Sequence, residues 1–236
     1  MSTEVVNEIK EQDYFINMGP QHPSTHGVLR LLLSLDGEII KTVEPHLGYI
    51  HRSIEKMCER DTYKMIVHLT DRMDYLSCHM NNEAVCLAVE KAIELEVSDR
   101  VKVIRTIMSE LTRLSSHQLW WGVMGMDLGA ITSFLYGFRD REMITDIFEE
   151  TCGARLTMNY NVPGGVMFDI PNNFQTKVKE FITHFRKKLP EYDDLLSNNV
   201  IFKVNVMFCS INSINPSIKG RRPIKLQLYR VTRYLR

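Results

Sequence analysis

The run from residue 19 to residue 30, GPQHPSTHGVLR, restricts the local fold more than any other part of this sequence. Its two prolines remove backbone amide donors and fix φ, while its two glycines allow close backbone approach. His22 and His26 therefore cannot share one face of a helix, which argues against a helix-borne zinc pair. We expect instead a loop at the start of an apolar strand, which presents its side chains to a ligand.

Composition indicates a folded chain whose main body is acidic. The 236 residues are 44% hydrophobic, which is enough for a sizeable core in one domain or one and a half. Its 29 basic and 29 acidic residues cancel, but eight of the basic residues and no acidic residue follow position 201. The main body therefore has a net charge of about −8, which argues against nucleic acid as its partner.

The cysteines favour a reducing compartment and indicate no metal site held by this chain alone. There are five of them without a C-x-x-C spacing, so neither a disulfide framework nor a self-held iron–sulfur or zinc site is expected. The first twelve residues are polar and acidic, unlike a signal peptide. The apolar stretch 119–138 contains Asp127, which favours a buried core segment, and we expect no transmembrane span.

The order of local patterns predicts an α+β fold, with a small antiparallel sheet followed by a long helical bundle. Apolar runs around an Asp36-Gly37 turn predict strands at 14–18, 28–35 and 39–43. Helical periodicity and capping residues predict helices at 50–58, 62–95, from 99 onward, 132–150, 174–188 and 192–197. We accordingly expect a β region at 1–48, a helical bundle at 49–203 and a basic, divergent tail at 204–236.

Four polar side chains are candidates for chemistry. His22 and His26 have three open roles, as metal ligands, as proton donors or as satisfied loop residues. Tyr75 either packs in a helical core or offers its phenol to a carbonyl oxygen. Asp127 lies among apolar residues, where a buried carboxylate needs a cation or a donor, and a histidine is the natural partner. Such a pair would keep the imidazole charged near neutral pH and make it an effective proton donor.

Two arginines are weaker candidates. Arg52 and Arg155 could each lie near a cofactor, but a local ion pair is the more common role of such residues. For Arg52 the nearby candidate partners are Glu55 and Asp61.

Five sequence motifs, taken in their order along the chain, resemble those of a known protein family. They read GPQHPSTHGVLR, HLGYIHRSIEK, LTDRMDYLS, DLGAITSF and CGARLTMNYNVPGGV. Over about residues 12–203 this series resembles the D-type subunit of respiratory complex I, the proton-pumping NADH:quinone oxidoreductase, which is called subunit 7 in mitochondria. After about residue 203 the resemblance ends, and we expect a C-terminally truncated chain with an unrelated tail, poorly stable and inactive in isolation.

The resemblance implies a fold like that of the large subunit of nickel–iron hydrogenases, with a small N-terminal sheet beside a long helical bundle that is incomplete at the C-terminus. It does not imply hydrogenase chemistry. The region RMDYLS has no cysteine in register where a hydrogenase needs a pair to hold its metals, so metal-based hydrogen chemistry is not expected.

The resemblance also implies a quinone pocket, formed with a neighbouring subunit that carries the terminal iron–sulfur cluster. His26 and Tyr75 match the family's donors to the quinone headgroup, which is ubiquinone or menaquinone, and Asp127 matches the carboxylate behind the histidine. Arg52 and Arg155 match positions near the cluster of the partner. A phenol and an imidazolium can supply the two protons that a quinone needs on reduction.

The implied partners are the cluster-carrying B-type and the C-type subunits of the peripheral arm, and the membrane-arm subunit at the quinone channel. The implied location is the cytoplasmic face of the bacterial inner membrane, or the matrix face of the mitochondrial inner membrane. Two other functions stay open: a non-catalytic scaffold or assembly fragment, and a metal hydrolase that uses His22 and His26.

Overall fold

The computed structural model describes residues 14–23 and 27–203. The chain divides after Ile54 into two units, which we call the sheet unit and the helical unit. His26 and the basic tail at 204–236 were the subject of predictions and lie outside the described residues.

The sheet unit contains three antiparallel strands, paired in the order in which they occur in the chain. They are β1 (Tyr14–Met18), β2 (Arg30–Asp36) and β3 (Ile39–His46). Gly37 lies in the tight turn between β2 and β3 with a φ of +61°, a left-handed conformation that glycine adopts without strain. The predicted N-terminal antiparallel sheet is confirmed, although β3 extends three residues beyond its expected end.

Helices form most of the remaining described chain, which confirms the predicted α+β fold. They are α1 (Ile54–Arg60), α2 (Tyr63–Thr70), α3 (Cys78–Ala92), α4 (Asp99–Asp127), α5 (Ile131–Cys152) and α6 (Phe174–Tyr192). A short hairpin of β4 (Asn161–Val162) and β5 (Gly165–Val166) lies between α5 and α6.

Several predicted helices have different limits in the structure, and in two regions the division into helices also differs. The single helix expected over 62–95 is divided by a turn at residues 71–77, where the carboxylate of Asp74 accepts the amide of Leu76 and competes with helical hydrogen bonding. The gap expected between helices at 174–188 and 192–197, where Pro190 lies, is absent. Instead α6 continues through Pro190 and is followed directly by a π-helical turn, Asp193–Ser197.

Helices α4 and α5 pack almost backbone to backbone. A Cβ on Gly137 would lie 2.7 Å from the carbonyl oxygen of Gln118, and one on Gly122 would lie 3.0 Å from the Cα of Phe134. Glycine is therefore required where the two helices cross. The helices separate at residues 128–130, where Gly129 has a φ of +85°.

The core of the helical unit lies among α4, α5 and α6. Its fully buried side chains include Met108, Leu111, Leu114, Ile144, Phe181 and Phe185. Burial of such apolar side chains is the dominant favourable contribution to folding.

A buried ion pair fixes the β4–β5 hairpin to this core. Arg105 on α4 donates to both carboxylate oxygens of Glu90 on α3, at 2.7 and 3.0 Å, and both residues are at most 5% exposed. The same guanidinium donates to the carbonyls of Val162 and Gly165, while the amide of Gly164 donates to Glu90. Each charge therefore has several partners, as burial of an ion pair requires.

Candidate functional site

The loop with the two histidines starts from a glycine that no other residue could replace. Gly19 has a φ of +94°, and a Cβ there would lie 1.9 Å from the carbonyl oxygen of Leu29. The close backbone approach predicted for this loop is thus present at Gly19. An isolated antiparallel bridge joins His22, which is exposed, to Gly27, and His26 lies in the short interval outside the described residues.

Tyr75 lies in the turn between α2 and α3, and 54% of it is exposed. It is therefore not the core tyrosine of a helix, which was one of its two predicted roles. The turn is closed by the side-chain amide of Asn81, which donates to the carbonyls of Thr70 and Asp74, both at 3.2 Å. The amide of Ser77 donates to the carbonyl of Asp74 at 2.9 Å. A hydrogen-bonded turn thus presents an exposed phenol.

The first residue of α3 lies directly beneath this turn. Cys78 is fully buried, and its Sγ lies 3.3 Å from the carbonyl oxygens of Asp71 and Tyr75 and 3.2 Å from that of Leu156. The structure thereby brings the turn of Tyr75 next to the loop that carries Arg155.

The turn that carries Tyr75 also contains a buried carboxyl group. Asp71 is only 2% exposed, and its Oδ1 has no hydrogen-bond partner among the described residues. Burial raises the pKa of Asp71, although a hydrogen bond from Asn82 and the charges of Arg72 and His68 oppose that effect. The turn that exposes Tyr75 therefore also contains a buried acid whose pKa is raised, and such groups occur at functional sites as well as in structural networks.

Asp127 is the last residue of α4, and the structure leaves it exposed. The expectation of a buried carboxylate is therefore wrong. The apolar stretch around Asp127 does not pass through the core, because the chain turns at residues 128–130 beyond the point where α4 and α5 cross. Its proposed role behind a histidine stays a prediction.

The two arginines differ in their ion pairs. Arg52 is exposed and forms no ion pair within the described residues, so the expected local pairs with Glu55 or Asp61 are absent. Arg155 instead donates to three carboxylates of α5, those of Glu142, Asp146 and Glu149. The charge of Arg155 is thus balanced within this chain, whereas that of Arg52 is not balanced by any described residue.

Neither a cluster of potential metal ligands nor a membrane-spanning helix is found in the part of the chain that the structure describes. Within residues 14–23 and 27–203, no three side chains of His, Cys, Asp or Glu come together in a way that could hold a metal ion. None of the helices in these ranges is both long enough and apolar enough to cross a bilayer.

Sequence reasoning did not find Asp71 or Cys78. The sequence contains a signal for the first, since Asp71 directly precedes Arg72 in the motif that carries Tyr75. Nothing in the sequence marks Cys78, because its importance depends on the carbonyl of Leu156, which is 78 residues distant.

Comparison with known proteins places this fold in a class. Residues 127–212 match the family described as "Respiratory-chain NADH dehydrogenase, 49 Kd subunit". A chain of the membrane-bound sulfane sulfur reductase, an archaeal respiratory membrane complex, superposes on 84% of this chain and on 53% of its own length, with a TM-score of 0.80 and 28% identity. Both matches are therefore with proteins of one class, the subunits of respiratory complexes.

Individual relatives narrow that class. The chain is 57% identical over 191 residues to the C/D subunit of NADH-quinone oxidoreductase from Bacteroides thetaiotaomicron, and 48% identical over 210 residues to the D subunit from Bacillus anthracis. These matches cover 81% and 89% of this chain, but only 36% and 57% of the relatives. Over the matched residues, the chain is similar to the 49 kDa subunit of NADH-quinone oxidoreductase, which agrees with the resemblance found in the sequence.

Proposed function

We propose that this chain forms the quinone-reduction pocket of a proton-translocating NADH:quinone oxidoreductase. Tyr75 and His26 donate protons to the two carbonyl oxygens of the quinone headgroup, and Asp127 keeps the histidine charged. The observation that best supports this is the exposed phenol of Tyr75 on a turn that hydrogen bonds from Asn81, Ser77 and Cys78 hold in place. Similarity to subunits of NADH-quinone oxidoreductase supports the class of reaction.

The chemistry of the reduction explains the choice of donors. A quinone that accepts two electrons needs two protons, and a phenol and an imidazolium can each supply one. A positioned donor is effective when it lies within hydrogen-bond distance of the oxygen it protonates. Loss of the imidazolium proton would remove the partner charge of Asp127, and this movement of charge is the proposed trigger for proton pumping at a distance.

The electrons come from an iron–sulfur cluster that a neighbouring subunit holds. The described residues of this chain offer no group of metal ligands, so we assign the cluster to the partner. Of the two arginines proposed to lie near it, Arg52 suits the role better, because no described carboxylate balances its charge. A nearby unbalanced positive charge favours the reduced form of a cluster.

The proposed setting is peripheral. The chain would contact the B-type and C-type subunits of the peripheral arm and the membrane-arm subunit at the mouth of the quinone channel. It would lie on the cytoplasmic face of a bacterial inner membrane, or on the corresponding matrix face in mitochondria.

Complementation tests this function against a purely structural role. The chain is expressed in a strain that lacks its own 49 kDa subunit, and NADH:quinone reduction is measured in the membranes beside NADH oxidation by ferricyanide. We expect quinone reduction to return. Assembled complex without quinone reduction would support the scaffold function instead, and stoichiometric zinc bound through His22 and His26 would support the hydrolase.

A further inference from the structure

We propose that Cys78 is a positioning residue for Tyr75. Its thiol clamps the turn of Tyr75 to the loop at Leu156 and so fixes where the phenol can meet a quinone. The inference deepens the proposed function and rests on it for the role of Tyr75. Neither the family match nor the sequence motifs point to this cysteine.

The geometry around the thiol is specific. Three carbonyl oxygens from two separate segments face one sulfur atom, at 3.3, 3.3 and 3.2 Å. Two of them belong to Asp71 and Tyr75 in the turn, and the third belongs to Leu156 on the far side. A thiol has a single hydrogen to share among these acceptors, so the sulfur is one centre that holds the two backbone segments together.

The thiol is chemically suited to this role because it stays protonated. Burial raises the pKa of Cys78, and the negative charges of Asp71 and Asp74 raise it further, while the amides of Met158 and of Cys78 itself act in the opposite direction without reversing the shift. A thiolate would face three carbonyl oxygens and be repelled by each. The protonated donor therefore fits the site and the anion does not.

The ring of Tyr75 depends on this backbone for its position. Its hydroxyl forms no hydrogen bond within the described residues, and more than half of the residue is exposed. No neighbouring side chain in the described structure therefore orients the phenol by bonding to it, and its location follows from the path of the turn. Cys78 acts on the carbonyl group of Tyr75 itself, whereas Asn81 holds the turn only at Thr70 and Asp74.

The chain supplies a matched control on the same helix. Cys86 is also fully buried in α3, eight residues further on, and it has no hydrogen bond to the turn of Tyr75. Cys78→Ala and Cys86→Ala remove the same atom from equally buried sites of one helix. A difference between the two variants at Tyr75 therefore reports the clamp and not the loss of a core atom.

Fluorine NMR of the chain with 3-fluorotyrosine tests the clamp without any quinone. Tyr75→Phe identifies the resonance of Tyr75. We expect Cys78→Ala to shift and broaden this resonance, Cys86→Ala to leave it at the wild-type position, and Cys78→Ser, which keeps a donor on a shorter bond, to give a smaller shift. An unchanged resonance in Cys78→Ala, or equal shifts in both alanine variants, would overturn the inference. Should Cys78→Ala fail to fold, Cys78→Ser compared with Cys86→Ser decides by the same criterion.

Turnover in the assembled complex then separates this inference from the proposed function. We expect Cys78→Ala to lower kcat for quinone reduction roughly tenfold, with a smaller change in KM, because misplacement of a reacting group by a fraction of an ångström lowers turnover. The kcat of Cys86→Ala should stay within about twofold of the wild-type value, as expected for a site far from the chemistry. Full turnover in Cys78→Ala, together with a loss in Tyr75→Phe, would overturn the clamp alone. No loss in Tyr75→Phe would count against the proposed function, and the NMR result would still decide the clamp.

Discussion

The two units of this chain use apolar side chains in opposite ways. In the helical unit, Leu111, Leu114 and Phe185 are completely buried. In the sheet unit, Phe15 and Ile39 are 69% and 71% exposed, and Leu33 is the buried apolar residue among its described positions. The helical unit thus has a core of its own, whereas the sheet exposes residues that strands normally bury.

The difference follows from size and from secondary structure. Three short strands have two faces and too few residues to cover either one, so a sheet of this size needs another surface for stability. Helices of 15 to 29 residues can bury one face against each other. Stability should therefore respond strongly to changes in the helical unit and weakly to changes at the exposed face of the sheet.

The buried ion pair should show the largest effect. Arg105→Met leaves Glu90 charged and without its main partner at 5% exposure, and the free energy of unfolding should fall by about 3–5 kcal/mol. Adding Glu90→Leu to this variant removes the unpaired charge and should recover part of the lost free energy of unfolding. Denaturant unfolding of the two variants measures both steps, and a double variant less stable than Arg105→Met would contradict the explanation.

The glycine at the crossing of α4 and α5 should come next. A Cβ at Gly137 would lie 2.7 Å from the backbone oxygen of Gln118, so Gly137→Ala must push the helices apart, at a cost of about 1–3 kcal/mol. Gly165→Ala is the control, because a Cβ there meets nothing within 4 Å. Equal melting temperatures for the two variants would show that the close packing is not needed.

A buried histidine should make the helical unit sensitive to acid. Burial lowers the pKa of His79 to about 3, so between the ordinary value of 6.5 and about 3 the unfolded chain binds a proton that the folded chain does not. The contribution of the neutral His79 side chain to stability is therefore fully present above pH 6.5. Below that pH, the free energy of unfolding falls by roughly 1.4 kcal/mol per pH unit because of this group. His79→Gln should remove that part of the slope in unfolding experiments from about pH 7 to about pH 4. A slope that is the same in both proteins would contradict the assignment.

The exposed face of the sheet should show the smallest effect. Ile39→Thr and Phe15→Ser change residues that are already mostly exposed, so each should alter the free energy of unfolding by no more than about 0.5 kcal/mol. Leu33→Ala is the matched change at a position only 5% exposed, and it should cost clearly more. Losses of similar size at all three positions would remove the contrast between the units.

The sequence predicted the general architecture, because that depends on local patterns. Apolar runs and the Asp36-Gly37 turn were enough for the sheet, and helical periodicity was enough for α4 and α5. The division of the helix expected over 62–95 was not predicted, because Asn81 and Cys78 close that turn through contacts with backbone carbonyls that no periodicity records.

The candidate site was predicted less completely. The sequence left Tyr75 open between a core residue and a hydrogen-bond donor, and the structure exposes it, while apolar neighbours in sequence wrongly suggested that Asp127 is buried. Neighbours along a chain do not show where a helix ends relative to its packing partner. For Arg155 the structure shows the local ion pairs that were one of its two expected roles, but the identity of its three carboxylate partners on α5 was not predicted, because helical spacing places them on one face only after the fold is known.

The most direct test of the central claim is the ratio of NADH:quinone reductase activity to NADH:ferricyanide reductase activity in membranes that contain Tyr75→Phe. Tyr63→Phe, at a position 72% exposed on α2, is the control. We predict that the ratio falls at least roughly tenfold in Tyr75→Phe, with ferricyanide reduction intact, and that it is unchanged in Tyr63→Phe. A ratio equal to wild type in Tyr75→Phe, with the complex fully assembled, would contradict the claim that this phenol protonates the quinone.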